Sequence, residues 1–436
     1  MSLTPYRQVL ALPGVARLLL FAVLARVPQT ASGVILTLHV VVTMRRGYGA
    51  AGLVAGVATV GMAIGGPWRG RAVDRIGLRR SVLPSLVVAP LAWGLSAFAD
   101  YGQLLVLACA GGVLGLPIFT VTRQSLAVLV PGGQRRSAFS LDGIGTELSF
   151  IVGPTFGVLV ATQLSTRTAL LAVSVLTLVV GAGLLILNPP TRSADPDGDG
   201  LDPEGRAHLQ GRPLPDGEPV APAPAGDHPV RSAWFTPALL AVLAVGVGAT
   251  VVLAGTDVAI VAYLREHGSV SLTGMIFAAW GIGSMIGGLL YGSKQRELSP
   301  FAMLLALALL TIPVGLAPGP AVLVATILPA AALCAPVIAA TIEGVSRLVP
   351  EQVRGEAMGW HGSALQTGSA LGAPLAGVVM DRSGAWAGFA AVGLAGAVIA
   401  IAGLLVERNG QSTRASTHPI TPGHPSTNSS VPLGRV

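Results

Sequence analysis

Five ionisable side chains interrupt long apolar runs of this 436-residue chain: Arg26, Arg123, Glu147, Asp257 and Glu343. A charge in a bilayer-length apolar segment is costly. It is retained for pairing, for proton or ion passage, or for contact with substrate, so each of the five is a candidate functional residue. Glu147 lies about 16 Å along a helix from Arg136, near the middle of a bilayer. It is the first candidate for a proton-titrating or substrate-facing carboxylate. The competing reading is a static ion pair, with Arg123 as the natural partner, about 10 Å in from the end of the preceding run. Asp257 stands about 12 Å in from Arg265, Glu343 near the end of its run and Arg26 within the first run. Each of these three either faces a central cavity or pairs and snorkels. Asp142 opens its run and reads as part of a loop network with Arg135 and Arg136. His39 and His361 read as packing histidines with satisfied nitrogens, not as proton relays. Gln124, Gln163 and Gln366 could hydrogen-bond substrate or a neighbouring helix, and the sequence leaves both open.

Other chemistries find little support. No Gly-Lys-Ser/Thr loop offers to cradle a phosphate, no His/Cys spacing suggests a metal, and no Ser/His pair stands out, so an enzyme is not expected and no cofactor is called for. Asp195, Asp197, Asp199 and Gly200 look like the start of a calcium loop, but Arg206 stands where the ligating glutamate belongs. Cys109 and Cys334 both lie in apolar stretches, which points away from a disulfide framework. Charged residues make up only 11% of the chain and hydrophobic ones 52%, with a mean hydropathy of +0.70. A soluble domain carries charge on about a quarter of its residues. The net charge of +7 comes from arginines at the ends of apolar runs, which favours positive-inside topology over nucleic-acid binding.

The elements that must hold these residues are bilayer-length helices. Apolar runs of about 20 residues bounded by charge, Pro or Gly divide the chain into about twelve spans. They fall near 15–43, 49–68, 81–99, 103–130, 138–162 and 167–188, then near 236–264, 271–292, 300–317, 320–348, 355–380 and 384–406. The first run is too long for a signal-peptide core and reads as a retained helix. Arg7, Arg17, Arg69 to Arg80, Arg135, Arg136, Lys294, Arg296, Arg347, Arg354 and Arg408 fall on one side of such a membrane, which places both termini in the cytoplasm; Arg45 and Arg46 run against the rule. Residues 191–234, rich in Pro, Gly and Asp, form an expected disordered cytoplasmic linker between helical bundles at 1–190 and 235–408, and 409–436 an expected disordered tail. The Arg-, Ala- and Gly-rich composition hints at a GC-rich bacterial genome, hence an inner membrane.

One arginine-dense stretch separates two uncharged runs, Val54–Trp68 and Val82–Ala99: Gly70-Arg71-Ala72-Val73-Asp74-Arg75-Ile76-Gly77-Leu78-Arg79-Arg80. It reads as a tight cytoplasmic turn between spans 2 and 3. Gly70, Asp74, Arg75, Gly77, Arg79 and Arg80 resemble the signature loop of the major facilitator superfamily, with Leu78 where that family usually has a basic residue. Gly153, Pro154 and Gly157 are similar to the Gly-Pro-x-x-Gly core of the span-5 motif of its drug/proton antiporters, although Val158 replaces the closing glycine. Arg123 resembles that family's span-4 arginine, without the Gln-Gly that usually follows. Internal repetition agrees: Leu129-Val130-Pro131 recurs as Leu348-Val349-Pro350, with Arg135 and Arg354, Gly143 and Gly362, and Gly153 and Gly372 at the same offset. At a nearly equal offset, Gly52, Gly66 and Gly70 match Gly274, Gly288 and Gly292, but the second copy has lost its Asp-Arg.

The resemblance implies an all-α membrane fold of two pseudo-symmetric six-helix bundles. It implies that Asp74 sits at the N-terminus of span 11 and latches the halves together, with Arg75, Arg79 and Arg80 shaping the latch. Gly153 and Gly157 read either as a flexible contact between the halves that favours exchange or as ordinary helix packing in a Gly-rich chain. The expected activity is proton-coupled efflux of a small hydrophobic compound, drug or metabolite by a lipid-embedded monomer. Protonation of Glu147 or Asp257 would tip the alternating-access equilibrium, with Arg123 and Arg26 tuning them. The alternatives are proton-coupled import of a polar nutrient and a non-transporting membrane sensor on the same fold.

Overall fold

The computed structural model describes residues 3–192, 234–293 and 298–416. Almost all of them are helical. In hydrocarbon every backbone N–H and C=O must be satisfied within its own segment, so runs of this length and apolarity fold as helices. A short α1 (Thr4–Ala11) leads into α2 (Val15–Leu38), whose last turns widen into a π-helix over His39–Thr43. Then follow α3 (Tyr48–Ile76), α4 (Leu78–Ser96), α5 (Tyr101–Val113), α6 (Ile118–Leu129), α7 (Arg135–Gln163) and α8 (Thr166–Leu187). The second half contains α9 (Pro237–Glu266), α10 (Thr273–Ser293), α11 (Pro300–Thr311), α12 (Pro320–Leu348), α13 (Arg354–Ser383) and α14 (Ala385–Ser416). Among the described residues, 9 segments are apolar and long enough to cross a bilayer. The single span Tyr101–Leu129 comprises α5 and α6 together. The shorter α4 and α11 and the more polar α13 complete the expected set of about twelve crossings.

The termini of these helices show why they begin where they do. Asp100 accepts from the Gln103 N–H at 2.8 Å while Gln103 Oε1 accepts from the Asp100 N–H at 3.0 Å, a reciprocal cap at the start of α5. Ser165 caps α8 through the Thr168 N–H at 3.0 Å, and Thr236 caps α9 through the Leu239 N–H. Pro237, Pro300 and Pro320 each open a helix, where the missing N–H costs nothing.

Three expectations need correction. The turn within Gly70–Arg80 is as tight as expected, but spans 2 and 3 extend into it beyond 68 and 81. Residues 70–76 are the last turns of α3, and Leu78–Arg80 are the first turn of α4. Gly77 alone makes the corner, at φ 77°, a conformation that a Cβ disfavours. The run 103–130 is broken at Leu114–Pro117, where Pro117 cannot supply an N–H to continue the helix. Finally, α14 runs past Arg408 to Ser416. The linker apart from its edges, the Lys294 and Arg296 loop, the calcium-like aspartates and residues 417–436 lie outside the described residues.

Helices α2 to α8 pack into one bundle and α9 to α14 into the other, with the sequence repeat visible in the packing. Gly153 of α7 lies against Val27 and Thr30 of α2, so closely that a Cβ there would overlap the Thr30 hydroxyl. Gly368 of α13 lies in the same way against Val247 and Thr250 of α9. Gly157 rests on Ile35, and Gly372 on the Val251 backbone. The span-5 glycines therefore fasten α7 to α2 within one half and are not a contact between halves. Small residues let the backbones meet where no hydrophobic drive exists between helices already in lipid. Gly287 of α10 is a further close approach, against the Ala332 backbone of α12. Gly287→Val would force these two helices apart at a cost of about 1–3 kcal/mol or more. A lowered thermal midpoint in detergent is the expected result.

Candidate functional site

The two halves meet at one end of the molecule, here termed the latch end. Asp74, 2% exposed near the end of α3, reaches the first turn of α13. Its Oδ1 accepts from the Gly355 N–H at 3.0 Å and its Oδ2 from the Glu356 N–H at 2.7 Å. These are among the N–H groups that a helix start leaves without partners, and the dipole there favours a carboxylate. Gln124 of α6 donates to the same Oδ1 at 2.8 Å. The approach requires glycine on both sides: a Cβ at Gly70 would overlap the Gly355 carbonyl, and one at Gly66 would stand 2.9 Å from the Gly359 carbonyl. Arg71 pairs with Glu356 at 3.7 Å. Arg75, Arg79 and Arg80 are exposed around this contact.

A second contact at the same end joins α7 to α10 and α12. Ser137 Oγ donates to the Gly292 carbonyl at 2.6 Å, and Tyr6 of α1 donates to the Leu289 carbonyl at 2.5 Å. Glu343 does not face a central cavity as one reading had it. It accepts from Arg136 at 3.4 Å and from the Tyr291 hydroxyl at 3.4 Å, with Arg347 at 3.9 Å. It is a latch residue.

Deeper in, a buried charge network occupies the first half. Asp142, fully buried, takes Arg26 Nη2 at 2.5 Å on one oxygen and Arg123 Nε at 3.4 Å on the other. Arg26 Nη1 donates to Thr146 Oγ1 at 3.0 Å. Both guanidinium groups lie over the face of Phe119, at 4.5 and 5.5 Å from its centroid. Two expectations change here. Asp142 is not part of a loop network with Arg135 and Arg136; it is the counter-ion of Arg26 and Arg123. Nor is Arg123 the partner of Glu147. Asp142 falls one turn of helix before Thr146, on the face of α7 that meets Arg26 of α2, and which neighbour that face meets is not set by the sequence period. Arg123 also reaches across to the other half, its Nη1 standing 3.4 Å from His361 Nδ1 of α13. His361 Nε2 in turn contacts Thr341 Oγ1 of α12 at 2.8 Å. His39 is satisfied by Thr166 at 2.9 Å, as expected of a packing histidine.

Among the described residues, Glu147 forms an ion pair with no arginine. It accepts from Ser284 Oγ of α10 at 2.9 Å and from Cys334 Sγ of α12 at 3.7 Å, so both of its partners belong to the opposite half. Asp257 of α9 is exposed and lies within Coulomb range of Glu147. At the same depth Ser363 donates to the Ala63 carbonyl at 2.5 Å and Gln366 to Met62 Sδ at 3.5 Å. Toward the far end, Gly49, Gly52 and Gly56 of α3 and Gly274 of α10 have nothing within 4 Å of a Cβ position. Gln163 makes no contact that bears on the site. The halves are in contact from the latch end to the level of Glu147, Ser363 and Gln366, and Ile151 meets Gly281 one turn further along α7.

Two substitutions test this geometry. Asp74→Asn keeps one acceptor for the helix start and loses the charge. Charged hydrogen bonds contribute about 1.5–3 kcal/mol each, so the latch-closed population should fall by tenfold or more, read as spin-label distances across the latch end. Arg26→Ala leaves Asp142 under-compensated in the bilayer interior and should cost about 3–5 kcal/mol. Arg26→Lys should recover only part of that thermal stability, because an ammonium cannot span Asp142 and Thr146 together.

The Major Facilitator Superfamily profile matches residues 18–300 and 249–429. A comparison with curated proteins returns no match. Among solved structures, the chain is similar to the human organic anion transporter MFSD10, with TM-score 0.61 and 18% identity over 91% of this chain and 98% of that one. It is also similar to a bacterial homologue of the iron transporter ferroportin in an outward-facing state, with TM-score 0.65 and 15% identity over 90% and 100% of the two chains. The E. coli fucose:proton symporter FucP matches with TM-score 0.63 and 15% identity over 90% and 98%. With two six-helix bundles, an interhelical carboxylate latch and a profile match over nearly its whole length, this chain belongs to the major facilitator superfamily of membrane transporters.

Proposed function

We propose that this transporter exports a small hydrophobic compound, drug or metabolite in exchange for protons, as a monomer in a bacterial inner membrane. In this reading the latch end is cytoplasmic. Arg69, Arg71, Arg75, Arg79, Arg80, Arg135, Arg136, Arg347 and Arg354 all cluster there, and the positive-inside rule places such a cluster on the cytoplasmic side. Both termini then lie in the cytoplasm, and the far end faces outward.

The observation that carries the proposal is a pair of carboxylates within the spans. Among the described residues neither Glu147 nor Asp257 has an ion-pair partner, whereas Asp142 and Glu343 do. Unpaired carboxylates inside a membrane protein mark proton or ligand paths. Glu147 also bridges the halves. Its hydrogen bonds to Ser284 and Cys334 join α7 to α10 and α12, and those contacts must be rebuilt when the halves rock. Proton loss or gain at Glu147 changes what those two donors can bind, which ties proton occupancy to the rocking equilibrium. Asp257, which is exposed, exchanges protons with the outer side. Arg26 and Arg123 are held by Asp142, so they orient the bundle and act on Glu147 only at a distance. Ile151, one turn from Glu147 on α7, is apolar and meets Gly281 of α10, so the neighbourhood of the carboxylate suits a hydrophobic substrate. No cofactor is needed, because the proton gradient supplies the energy.

Proteoliposomes with an imposed inward proton gradient test the reading. Hydrophobic cations and antibiotics should collapse the gradient in the native protein, and Glu147→Gln should abolish that response. Asp257→Asn should abolish or strongly weaken it. Full activity without pH dependence in both variants would remove the carboxylates from the mechanism. Uptake of a sugar or amino acid, with no response to any efflux compound, would replace export by import.

A further inference from the structure

His361 sits at the point where the buried charge network of one half touches the other half, and its hydrogen bonds fix its tautomer. Thr341 has a single hydroxyl proton, which it donates to the Ile338 carbonyl at 2.7 Å. Its oxygen can therefore only accept from His361, so Nε2 carries a proton at the 2.8 Å contact. Arg123 Nη1 has only protons to offer, so Nδ1 at 3.4 Å must present its lone pair. His361 is thus held neutral, as an acceptor for an arginine of the opposite half. A proton on Nδ1 would put an N–H and a positive ring directly against the Arg123 guanidinium.

We propose that His361 is a proton-binding site of the alternating-access cycle, empty while the latch is closed and filled only when the halves part. The inference rests on the transporter reading and adds a site to it. On opening, Arg123 stays with Asp142 and α13 moves away. Nδ1 then loses its donor, and water entering from the latch end can protonate it while Nε2–H remains on Thr341. One proton is taken up and no other bond changes. Because the open-latch state binds this proton and the closed state does not, acid on the latch side favours opening.

The groups around His361 agree with that sign. From α6 it faces Arg123, backed by Asp142 of α7 and Arg26 of α2, so a second cation has only one shared carboxylate to meet. From α12 it faces Thr341, with Glu343 engaged by Arg136 and Arg347. From α9 it meets Gly246, which has no side chain. On α3 the charged residues are Arg69, Arg71, Asp74 and Arg75, with Asp74 bound to the start of α13 and Arg75 exposed. Residues 385–405 of α14 contain no charge. Among the described residues, no carboxylate is in contact with His361 to hold it protonated in the closed state.

Spin labels at Ile76→Cys on α3 and Leu348→Cys on α12, both exposed at the latch end, report opening in a Cys109→Ser, Cys334→Ser background. As the pH falls, the ratio of long to short distances should rise by up to about tenfold per pH unit, the slope of one linked proton. His361→Gln and His361→Asn cannot take the proton and, compared in a Glu147→Gln background that removes the other coupled carboxylate, should flatten this response; whichever folds serves the test. Thr341→Val frees the tautomer and should raise the long-distance population at neutral pH. An unchanged pH response in the glutamine and asparagine variants would overturn the proposal. The distances need no substrate, so the two readings separate. A flattened response without proton-driven transport in proteoliposomes would retain the site and reject the transport reading. Coupled transport with an unflattened response would do the reverse.

Discussion

The closed end of this molecule depends on one carboxylate bound to the start of a helix from the other half. Asp74 leaves water to reach the Gly355 and Glu356 N–H groups. In exchange those groups, orphaned by helix geometry, gain a charged acceptor in the one place where the helix dipole favours it. The contact forms only if two backbones come almost into touch, so Gly66, Gly70, Gly355 and Gly359 are as necessary as the aspartate. A bond of this kind is strong when aligned and lost as a unit when the helices slide. That makes it suited to hold one state of a two-state structure and then release it.

The latch does not stand alone. Gln124 binds Asp74, and its neighbour Arg123 binds Asp142 and His361. Two consecutive residues of α6 therefore touch both the latch and the buried network, and α6 is short because Pro117 breaks the span beneath it. Gln124 Oε1 has no partner among the described residues. This polar group remains buried because its amide end serves Asp74. Separation of α13 from α3 breaks the Asp74 bonds to the start of α13 and the Arg123–His361 contact together, while Gln124–Asp74 and Arg123–Asp142 stay within the first half.

How much of this the sequence discloses depends on what sets each feature. Spans are set by apolar length, and α7, α8, α9 and α12 fall where composition puts them. Breaks are set by single residues such as Pro117 and Gly77, which window-scale hydropathy passes over. The carboxylate of the latch was legible because Asp74 stands in a fixed spacing of glycines and arginines. The partner of Asp142 was not, because ion pairs between helices depend on the rotation of each helix about its axis. A shift of one residue in register moves a side chain about 100° around the helix. By that measure Arg123 and Glu147 look as well matched as Arg123 and Asp142. For the same reason Gly153 and Gly157 could be seen as close-packing residues while the helix they pack against could not.

The repeat also shows what a broken symmetry does. In the second half Gly292 occupies the position of Gly70, and Ser137 and Ser140 of α7 meet it where the first residues of α13 meet Gly70. In place of a carboxylate binding two helix N–H groups, a serine hydroxyl binds a carbonyl, with Arg136 and Glu343 paired alongside. The two contacts thus differ in chemistry though not in position. The α3–α13 contact is a charge against a dipole in a buried setting, which gains from the low dielectric. The α7–α10 contact is a neutral hydrogen bond beside an ion pair that is also buried, with side chains 10% and 12% exposed. Unequal contacts on either side of the pseudo-two-fold axis need not break at the same moment. Glu147 lies on the α7–α10 side, bound to α10 and α12, and His361 on the α3–α13 side. In the proton-exchange reading proposed above, the first side adjusts to the charge on Glu147 while Asp74 still holds the other, so that charge changes before the halves part.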